Sequence, residues 1–364
     1  MCRINVTYVN GNSLLDGDSV KLTKDLKVKG AGITLKRGAV VKNIRVTNGS
    51  KEIEYKIKKK HCLTNTVRSK NVIDNNIMLF QPFKTLLFGF AFSPSLRANV
   101  YEATRLAQYF NAALIFVHVG QKTPKKEGEF QQLLGACQTK SDQVQTYWKE
   151  GDPITTLAGA CKEFDVDLLL LGALKRENVV KYYLGSIARK LTRQAPCSVL
   201  LMLKPSIDRS PCKHIVVNGF DSPQTQETVE AAFHVGKALA SDKITVVEEI
   251  SESRVAVSVN DDRSLRLATL RKEKIDRKEK IRVTDIIKKI PNSVTDGLKY
   301  ETQSIFGRRG YSIGHYAKVV RADLLVMNAQ EEQRFYHRFF PRDLEHILAE
   351  LPTDVLIIHS KKNG

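Results

Sequence analysis

The sequence predicts an α/β protein in which a small antiparallel β-barrel precedes two tandem, doubly wound parallel-sheet domains. Two observations predict this fold. From residue 78 onwards, apolar strands alternate with helical patterns, the order that gives a parallel sheet with right-handed crossovers. The segment that begins at Gly151 also aligns without a gap with the segment that begins at Gly307. Because a repeat of this length indicates duplication of one α/β domain, we expect domains at residues 78–204 and 211–361.

Residues 1–75 read as a separate β module. Short alternating runs, such as 19–22 and 53–57, are divided by Asn-Gly, Asp-Gly and Lys-Gly turns, the pattern of a small antiparallel sheet or barrel. The segment NGNSLLDGDSVKLTKDLKVKG…LKRGAVVKNIR resembles the C-terminal domain of the PhnA (alkylphosphonate-utilisation) family, which implies an SH3-like β-barrel. The family's zinc ribbon has no counterpart here, because Cys2 and Cys62 form no C-x2-C pair.

Each copy of the α/β repeat contains the same elements in the same order. A strand that ends in Ser-Pro comes first, followed by a helix and a second short strand. Each copy then has a strand-end Gly (Gly151 or Gly307), an amphipathic helix, an Asp, a buried strand, a loop, a helix, a Pro and a last apolar strand. The predicted strands are 85–94, 113–119, 168–171 and 197–203 in the first copy and 214–223, 243–249, 324–327 and 354–360 in the second. Their continuous apolar runs indicate a parallel sheet that is covered on both faces.

The loop after the buried strand 168–171 carries the most informative residues, Gly172, Lys175, Gly185 and Ser186. A glycine at a strand end lets a ligand approach the backbone, and free N–H groups at a helix start bind phosphate. The spacing resembles the G-x2-G-x9-G-[S/T] nucleotide loop of the universal stress protein family, with Lys175 in place of the second glycine. The resemblance implies this family's fold in both copies and an ATP site at Gly172, Lys175, Gly185, Ser186 and Ile187. The alternative is a plain strand end, surface loop and helix cap.

Other positions of the family's nucleotide site are changed. The Asp that contacts adenine in nucleotide-binding members falls on Ala91 in the first copy and on Phe220 in the second, where Asp221 comes one residue late and faces the other way. The second loop has Asn328, Glu331, Pro341 and Arg342 in place of the binding residues. We therefore expect no site in the second copy, and in the first copy weak binding that discriminates poorly between ATP and GTP.

The last strand of each copy bears on assembly. Domains of the family commonly pair through this edge strand, and 197–203 and 354–360 are both apolar. Open apolar edges invite association. We predict that the two strands pair with each other, antiparallel and within one chain.

The chain is strongly basic, with a net charge of +19. Residues 1–78 hold 16 lysines and arginines against 6 acidic residues, and a second basic run covers 271–289. Such surfaces attract polyanions. The alternative is a solvated surface, because acids are interspersed in the run at 271–289 and no aromatic stripe accompanies the charge.

The remaining signals favour a cytoplasmic protein with free thiols, because six cysteines lack metal-ligand spacing and no signal peptide is present. The apolar run at 78–92 is interrupted by Lys84 and too short to span a bilayer, so we expect no membrane association. His118 ends a strand at the edge where ligands bind, but a lone His there is most simply a packed or solvated residue. No Ser-His-Asp set, carboxylate pair or Walker loop is present, so catalysis and a metal site are not predicted.

Together these observations predict a non-catalytic stress-response protein that works as a binding and scaffold module, with its two α/β domains as an intramolecular pseudo-dimer. One alternative is an ATP-binding switch or slow ATPase in the first domain. The other is a nucleic-acid-associated adaptor that uses the basic N-terminal barrel.

Overall fold

The computed structural model describes residues 83–137, 143–172, 184–251, 260–308, 310–329 and 342–359, together with Arg254 and short strands at 20–73, 174–175 and 182–183. The chain divides into two compact units, Met1–Leu79 and Phe80–Gly364. The domain limits predicted at 1–75, 78–204 and 211–361 stay predictions.

The N-terminal unit contains eight short strands among its described residues: β1 (Val20–Leu22), β2 (Leu26–Val28), β3 (Ile33–Leu35), β4 (Val40–Val41), β5 (Arg45–Val46), β6 (Ile53–Ile57), β7 (Lys60–Thr64) and β8 (Val72–Ile73). They form three small sheets in the orders β4-β1-β8, β2-β3 and β5-β6-β7. Every pairing is antiparallel, as the turn signals indicate. Closure of these sheets into an SH3-like barrel stays a prediction.

The second unit is built on one ten-stranded sheet. Its strands are β9 (Thr85–Phe90), β10 (Ala113–Val119), β11 (Val144–Lys149), β12 (Leu168–Gly172), β15 (Ser198–Met202), β16 (His214–Asn218), β17 (Lys243–Ser251), β18 (Lys299–Gly307), β19 (Leu324–Asn328) and β20 (Asp354–Ile358). The spatial order is β11-β10-β9-β12-β15-β20-β19-β16-β17-β18. Within each half the five strands are parallel and follow the order third, second, first, fourth, fifth, so the two halves share one topology.

The two halves meet through their fifth strands. β15 and β20 pair antiparallel, with Val199 opposite Ile357, Leu200 opposite Leu356 and Leu201 opposite Val355. The prediction that these two strands pair with each other, antiparallel and within one chain, is confirmed. Each apolar edge is thereby covered by the other, which removes two aggregation-prone edges.

Helices cover both faces of the sheet. They are α1 (Leu96–Phe110), α2 (Pro124–Ala136), α3 (Pro153–Glu163), α4 (Ser186–Gln194), α5 (Thr225–Leu239), α6 (Asp262–Ile287), α7 (Asn292–Thr295), α8 (Tyr311–Val319) and α9 (Arg342–Ala349). Alternate strand residues enter opposite cores: Leu168 and Leu170 belong to the core with α1, α2, α5 and α6, whereas Leu169 and Leu171 belong to the core with α3, α4, α8 and α9. This period of two explains the all-apolar strand runs.

Cys137, Cys161, Cys197 and Cys212 are free thiols. None of the described helices is long and apolar enough to cross a lipid bilayer. No group of side chains suited to hold a metal ion occurs among the described residues.

Candidate nucleotide site at the carboxyl edge of the first half

Gly172 ends β12 at the carboxyl edge of the sheet, and Asn99 of α1 packs directly against it. A Cβ at position 172 would lie 2.8 Å from Asn99 Oδ1 and 3.2 Å from Nδ2. Asn99 is held there because Nδ2 donates to the carbonyl oxygen of Ser95 at 3.0 Å and to its hydroxyl at 3.2 Å. The close approach of this amide therefore requires glycine at 172, whose φ lies outside the left-handed region.

Asn99 also brings an unused acceptor to this edge. The residue is buried, and Oδ1 has no hydrogen-bond partner among the described residues. Buried polar atoms are normally satisfied, so an orphaned acceptor beside a predicted ligand loop is a feature that a ligand donor or a water would complete.

Gly185, Ser186 and Ile187 form the start of α4. Gly185 is the N-cap residue, with φ −59° and ψ 158°, and no side chain caps the helix. The first turn carries no acidic residue, and Ser186 and Ile187 are exposed. Uncapped N–H groups at the positive end of a helix dipole suit an anion. Gly185 lies outside the left-handed region, so its backbone conformation is open to other residues.

Lys175 is the member of the motif about which the structure says least. It lies in a short strand, β13 (Leu174–Lys175), which pairs antiparallel with β14 (Tyr182–Tyr183). These two short strands are a described part of the motif's long loop. The Lys175 side chain lies outside the described residues.

An aromatic cluster fills the carboxyl edge at β9 and β10, next to Ala91. Phe90 stacks on Phe130 with ring centroids 4.0 Å apart. Phe92 stacks on Trp148 at 6.2 Å, and the His118 ring lies 4.9 Å from that of Trp148. Phe90 and Phe92 of this cluster flank Ala91 in the chain. Ala91 is exposed, and its methyl group offers a base no acceptor.

His118 is a packed residue of this cluster. Its ring is 6% exposed, and Nδ1 lies 3.0 Å from the carbonyl oxygen of Phe90. Since a carbonyl only accepts, Nδ1 carries the proton and donates. Nε2 is buried and has no partner in the described part of the chain. The histidine therefore anchors β10 to β9 and does not face an open site.

In the second half, the matching edge is closed by ionic groups. Glu248 occupies the β17 position that corresponds to His118, and Arg282 of α6 bonds to its carboxylate and to the carbonyl oxygen of Gly219. Arg282 Nε also donates to Glu279 at 2.9 Å, which receives a second bond from Arg254 at 3.0 Å. Burial raises the pKa of Glu248 to about 8, against the opposing effect of Arg282.

The second half also lacks the glycine. Asn328 replaces glycine at the end of β19, and its Nδ2 donates to Ser222 Oγ at 3.3 Å. The exposed carboxylate of Asp221 lies 3.9 Å from Arg282, so it joins the ionic cluster. Glu331 and Pro341 lie outside the described residues.

Sequence reasoning missed Asn99, Trp148 and the carboxylate of Glu249. The Glu249 oxygens accept from the backbone N–H groups of Gly310 and Ile313 at 2.7 and 2.8 Å, which caps the start of α8. No local motif marks these residues, because each acts on an element far away in the chain. The register of the parallel strands brings Trp148 and Glu249 to the carboxyl edge, and α1 brings Asn99 there.

Comparison with known proteins assigns families to two segments. Residues 6–69 match the sequence model of the PhnA domain, and residues 82–202 match that of the universal stress protein family. Curated relatives match the first segment: protein YjdM of Escherichia coli K12 and that of Streptococcus mutans are each 58% identical over 52 residues, 14% of this chain and 47% of the relative. The chain thus spans about half the length of these relatives.

Solved structures match about three quarters of the chain. A functionally unknown protein of Pseudomonas aeruginosa PAO1 superposes with a TM-score of 0.57 at 14% identity, covering 78% of this chain and 94% of that one. A universal stress protein of Archaeoglobus fulgidus gives 0.50 at 14% identity, with 75% and 97% covered. At such identities the likeness shows the fold alone. Residues 82–202 of this chain therefore form a domain of the universal stress protein family, and residues 6–69 carry a PhnA domain.

Proposed function

We propose that this chain is a non-catalytic stress-response protein of the cytoplasm that works as a binding and scaffold module. In this proposal the two halves of the second unit act as an intramolecular pseudo-dimer of universal stress protein domains. The observation that carries the proposal is the antiparallel pairing of β15 with β20. Because this contact satisfies both fifth strands within one chain, the helices and loops on either side remain available to partners.

Side-chain contacts at the junction support the pairing at both ends. The backbone N–H of His359 donates to Ser198 Oγ at 3.2 Å, and that of Leu203 donates to Asp354 Oδ1 at 2.7 Å. Ser198 and Asp354 begin the two paired strands, so the bonds are related by the approximate symmetry of the halves. Arg189 of α4 adds a bond to the carbonyl oxygen of Leu348 at 3.2 Å.

The absence of catalysis is tested by incubating the full chain with ATP and measuring released phosphate. The expected result is no hydrolysis above that of buffer, because His118 in the first half is packed against Phe90 and the carboxylates of Glu248 and Glu279 in the second half are both bonded to Arg282. Turnover that disappears in a Ser186→Asp variant would replace the scaffold proposal with a slow ATPase.

A second candidate function is phosphate binding at the start of α4, with ATP as a weak ligand. The favouring observation is the uncapped helix start at Gly185, with no acidic residue in its first turn. Ala91 and the aromatic cluster offer adenine no acceptor, so the contacts would be mainly to phosphates and ATP and GTP would bind alike.

Calorimetric titration of ATP, GTP and AMP tests this second function. In Ser186→Asp, the new carboxylate stabilises the helix start but repels phosphate. The matched control is Gln194→Asp, which places the same charge at the far, exposed end of α4. Binding lost only in Ser186→Asp supports the site. Equal binding by both variants, or adenine-selective binding, contradicts this account.

A further inference from the structure

Helix α6 buries side chains only near its C-terminal end, although Lys272 also lies over the ring of Phe306 at 4.3 Å. Its buried residues are Glu279, Val283 and Ile287, which are four apart and share one side of the helix. Residues 262–278 include no buried side chain. α6 lies between the second and third strands of its half and has 26 residues, whereas α2, at the same place in the first half, has 13. The additional length is exposed helix.

The side of α6 that points away from the sheet combines apolar and basic residues. Leu267, Leu270 and Ile281 are 55%, 52% and 54% exposed. They belong to a stripe with alternating spacing of three and four, which runs 267, 270, 274, 277, 281 and 284. At 3.6 residues per turn this stripe lies opposite the buried residues of the helix. We call it the outer stripe.

The outer stripe carries uncompensated positive charge. Lys274 and Arg277 occupy its centre, and Arg266, Arg271 and Lys278 flank it. None of these five side chains forms an ion pair with a described residue, whereas Lys280, on another side of the helix, pairs with Asp276 at 2.9 Å. Water solvates the cations, but it does not stabilise the exposed aliphatic side chains between them. Such a mixed surface is typical of a site that binds another protein.

We propose that the outer stripe of α6 docks an acidic amphipathic helix of another protein. The three-four spacing is that of a two-helix seam, in which Leu267, Leu270 and Ile281 pack on apolar residues of the partner. Carboxylates on the partner helix lie opposite Lys274 and Arg277 and pair with them.

The same residues argue against three other occupants. In a second copy aligned antiparallel, Lys274 would face Arg277, and like charges repel. A bilayer surface requires a continuous apolar face, and two cations interrupt this one at its centre. Nucleic acid would use the cations, but phosphates give the three aliphatic side chains no partner.

The test uses the full chain and a fluorescent peptide of three heptads, with leucine at positions a and d and glutamate at e and g. Fluorescence anisotropy measures binding at low and at high salt. The unmodified chain is expected to bind the peptide, and Lys274→Glu/Arg277→Glu to weaken binding by about tenfold or more. Leu267→Ser/Leu270→Ser is expected to weaken it to a similar degree, since it removes the apolar half of the seam.

Matched controls distinguish binding by the outer stripe from a non-specific effect of net charge. Lys289→Glu/Lys299→Glu changes two exposed cations off the stripe and is expected to leave binding within about twofold. A peptide with lysine in place of glutamate is expected to bind the charge-reversed chain and not the unmodified one. The proposal is overturned if the acidic peptide does not bind or binds the reversed chain equally well. It is also overturned if phosphatidylserine vesicles or a short RNA bind the stripe more tightly than the peptide.

Discussion

At the scale of single residues, the contact between Gly172 and Asn99 explains why this motif position holds glycine. A Cβ there would meet the Asn99 amide at 2.8 Å. We expect Gly172→Ala to lower the free energy of unfolding by about 1–3 kcal/mol, the usual range for overpacking. Urea denaturation measures the change, and an Asn99→Ala background should remove most of it because the two sites share one contact.

The matched control is Gly159→Ala in α3, where a Cβ meets nothing within 4 Å. Alanine there should stabilise the protein by about 0.5–1 kcal/mol, since glycine is a poor helix former. An equal effect at the two glycines, or no coupling between Gly172 and Asn99, would contradict the role assigned to the amide.

Asp354 makes the junction sensitive to pH. Burial raises the pKa of its carboxyl to about 7, against the opposing bond from the Leu203 N–H. The pKa of Asp354 in the folded state therefore lies above its unfolded value, which is about 3.9. The protonated carboxyl contributes to the free energy of unfolding below about pH 4, and this contribution is lost as pH rises through about 7.

Asp354→Asn keeps the acceptor and removes the charge. We expect the variant to be more stable than the unmodified chain by about 1–2 kcal/mol at pH 8, allowing for its partial exposure, and the difference to vanish at about pH 4. Thermal melts of both chains across this range measure it. A variant that is less stable at pH 8 would show that the ionised carboxylate strengthens the junction.

At the scale of elements, the chain order and the apolar runs predict the strands of the sheet well, including the pairing of β15 with β20. Apolar edges leave few alternatives once both strands are recognised. The sequence did not predict that α6 is twice as long as α2. It also did not predict that Arg282 of α6 bonds to the Glu248 carboxylate of β17. The charged run at 271–289 reads as a solvated helix, and only burial at Glu279 reveals its inner side.

Glu249 caps α8 from a neighbouring strand, which is a second feature that local sequence cannot reveal. Its two oxygens accept from Gly310 and Ile313, and the side chain is 4% exposed. We expect Glu249→Gln to cost about 1–2 kcal/mol, because the charge at the helix start is lost and an amide donor faces backbone donors. Chemical denaturation measures the cost. Glu301→Gln, at an exposed pair with Lys243, is the control and should cost less than about 0.5 kcal/mol. Equal costs would contradict the capping role.

At the scale of the whole molecule, the chain separates into residues 1–79 and 80–364. We expect the second unit to fold without the first, with an unchanged thermal transition, because compact units with their own cores fold independently. Binding of a short RNA by the intact chain and by the truncated one tests the basic N-terminal unit. Weak binding by both fits a solvated surface. Tight binding that is lost on truncation and falls steeply with salt would favour the nucleic-acid adaptor.

The nucleotide motif marks the limit of what the sequence could predict at this scale. Its spacing located the helix start at Gly185 and the strand end at Gly172. It could not show that aromatic rings from β9, β10, β11 and α2 meet beside Ala91, because these residues are far apart in the chain. The order of the strands in the sheet determines which side chains meet at the carboxyl edge, and composition does not reveal that order.

The central claim is that two halves of one chain pair through their fifth strands, and a designed disulfide tests it most directly. Leu200 and Leu356 lie opposite each other in the antiparallel pair, where Cα atoms are about 4.5–5.5 Å apart and within the range of a disulfide. After mild oxidation of Leu200→Cys/Leu356→Cys, peptide mapping and non-reducing electrophoresis should find positions 200 and 356 linked within monomers, and single Leu200→Cys should not cross-link at this position. Linkage only between separate chains, or no linkage in the double variant, would contradict the intramolecular pairing.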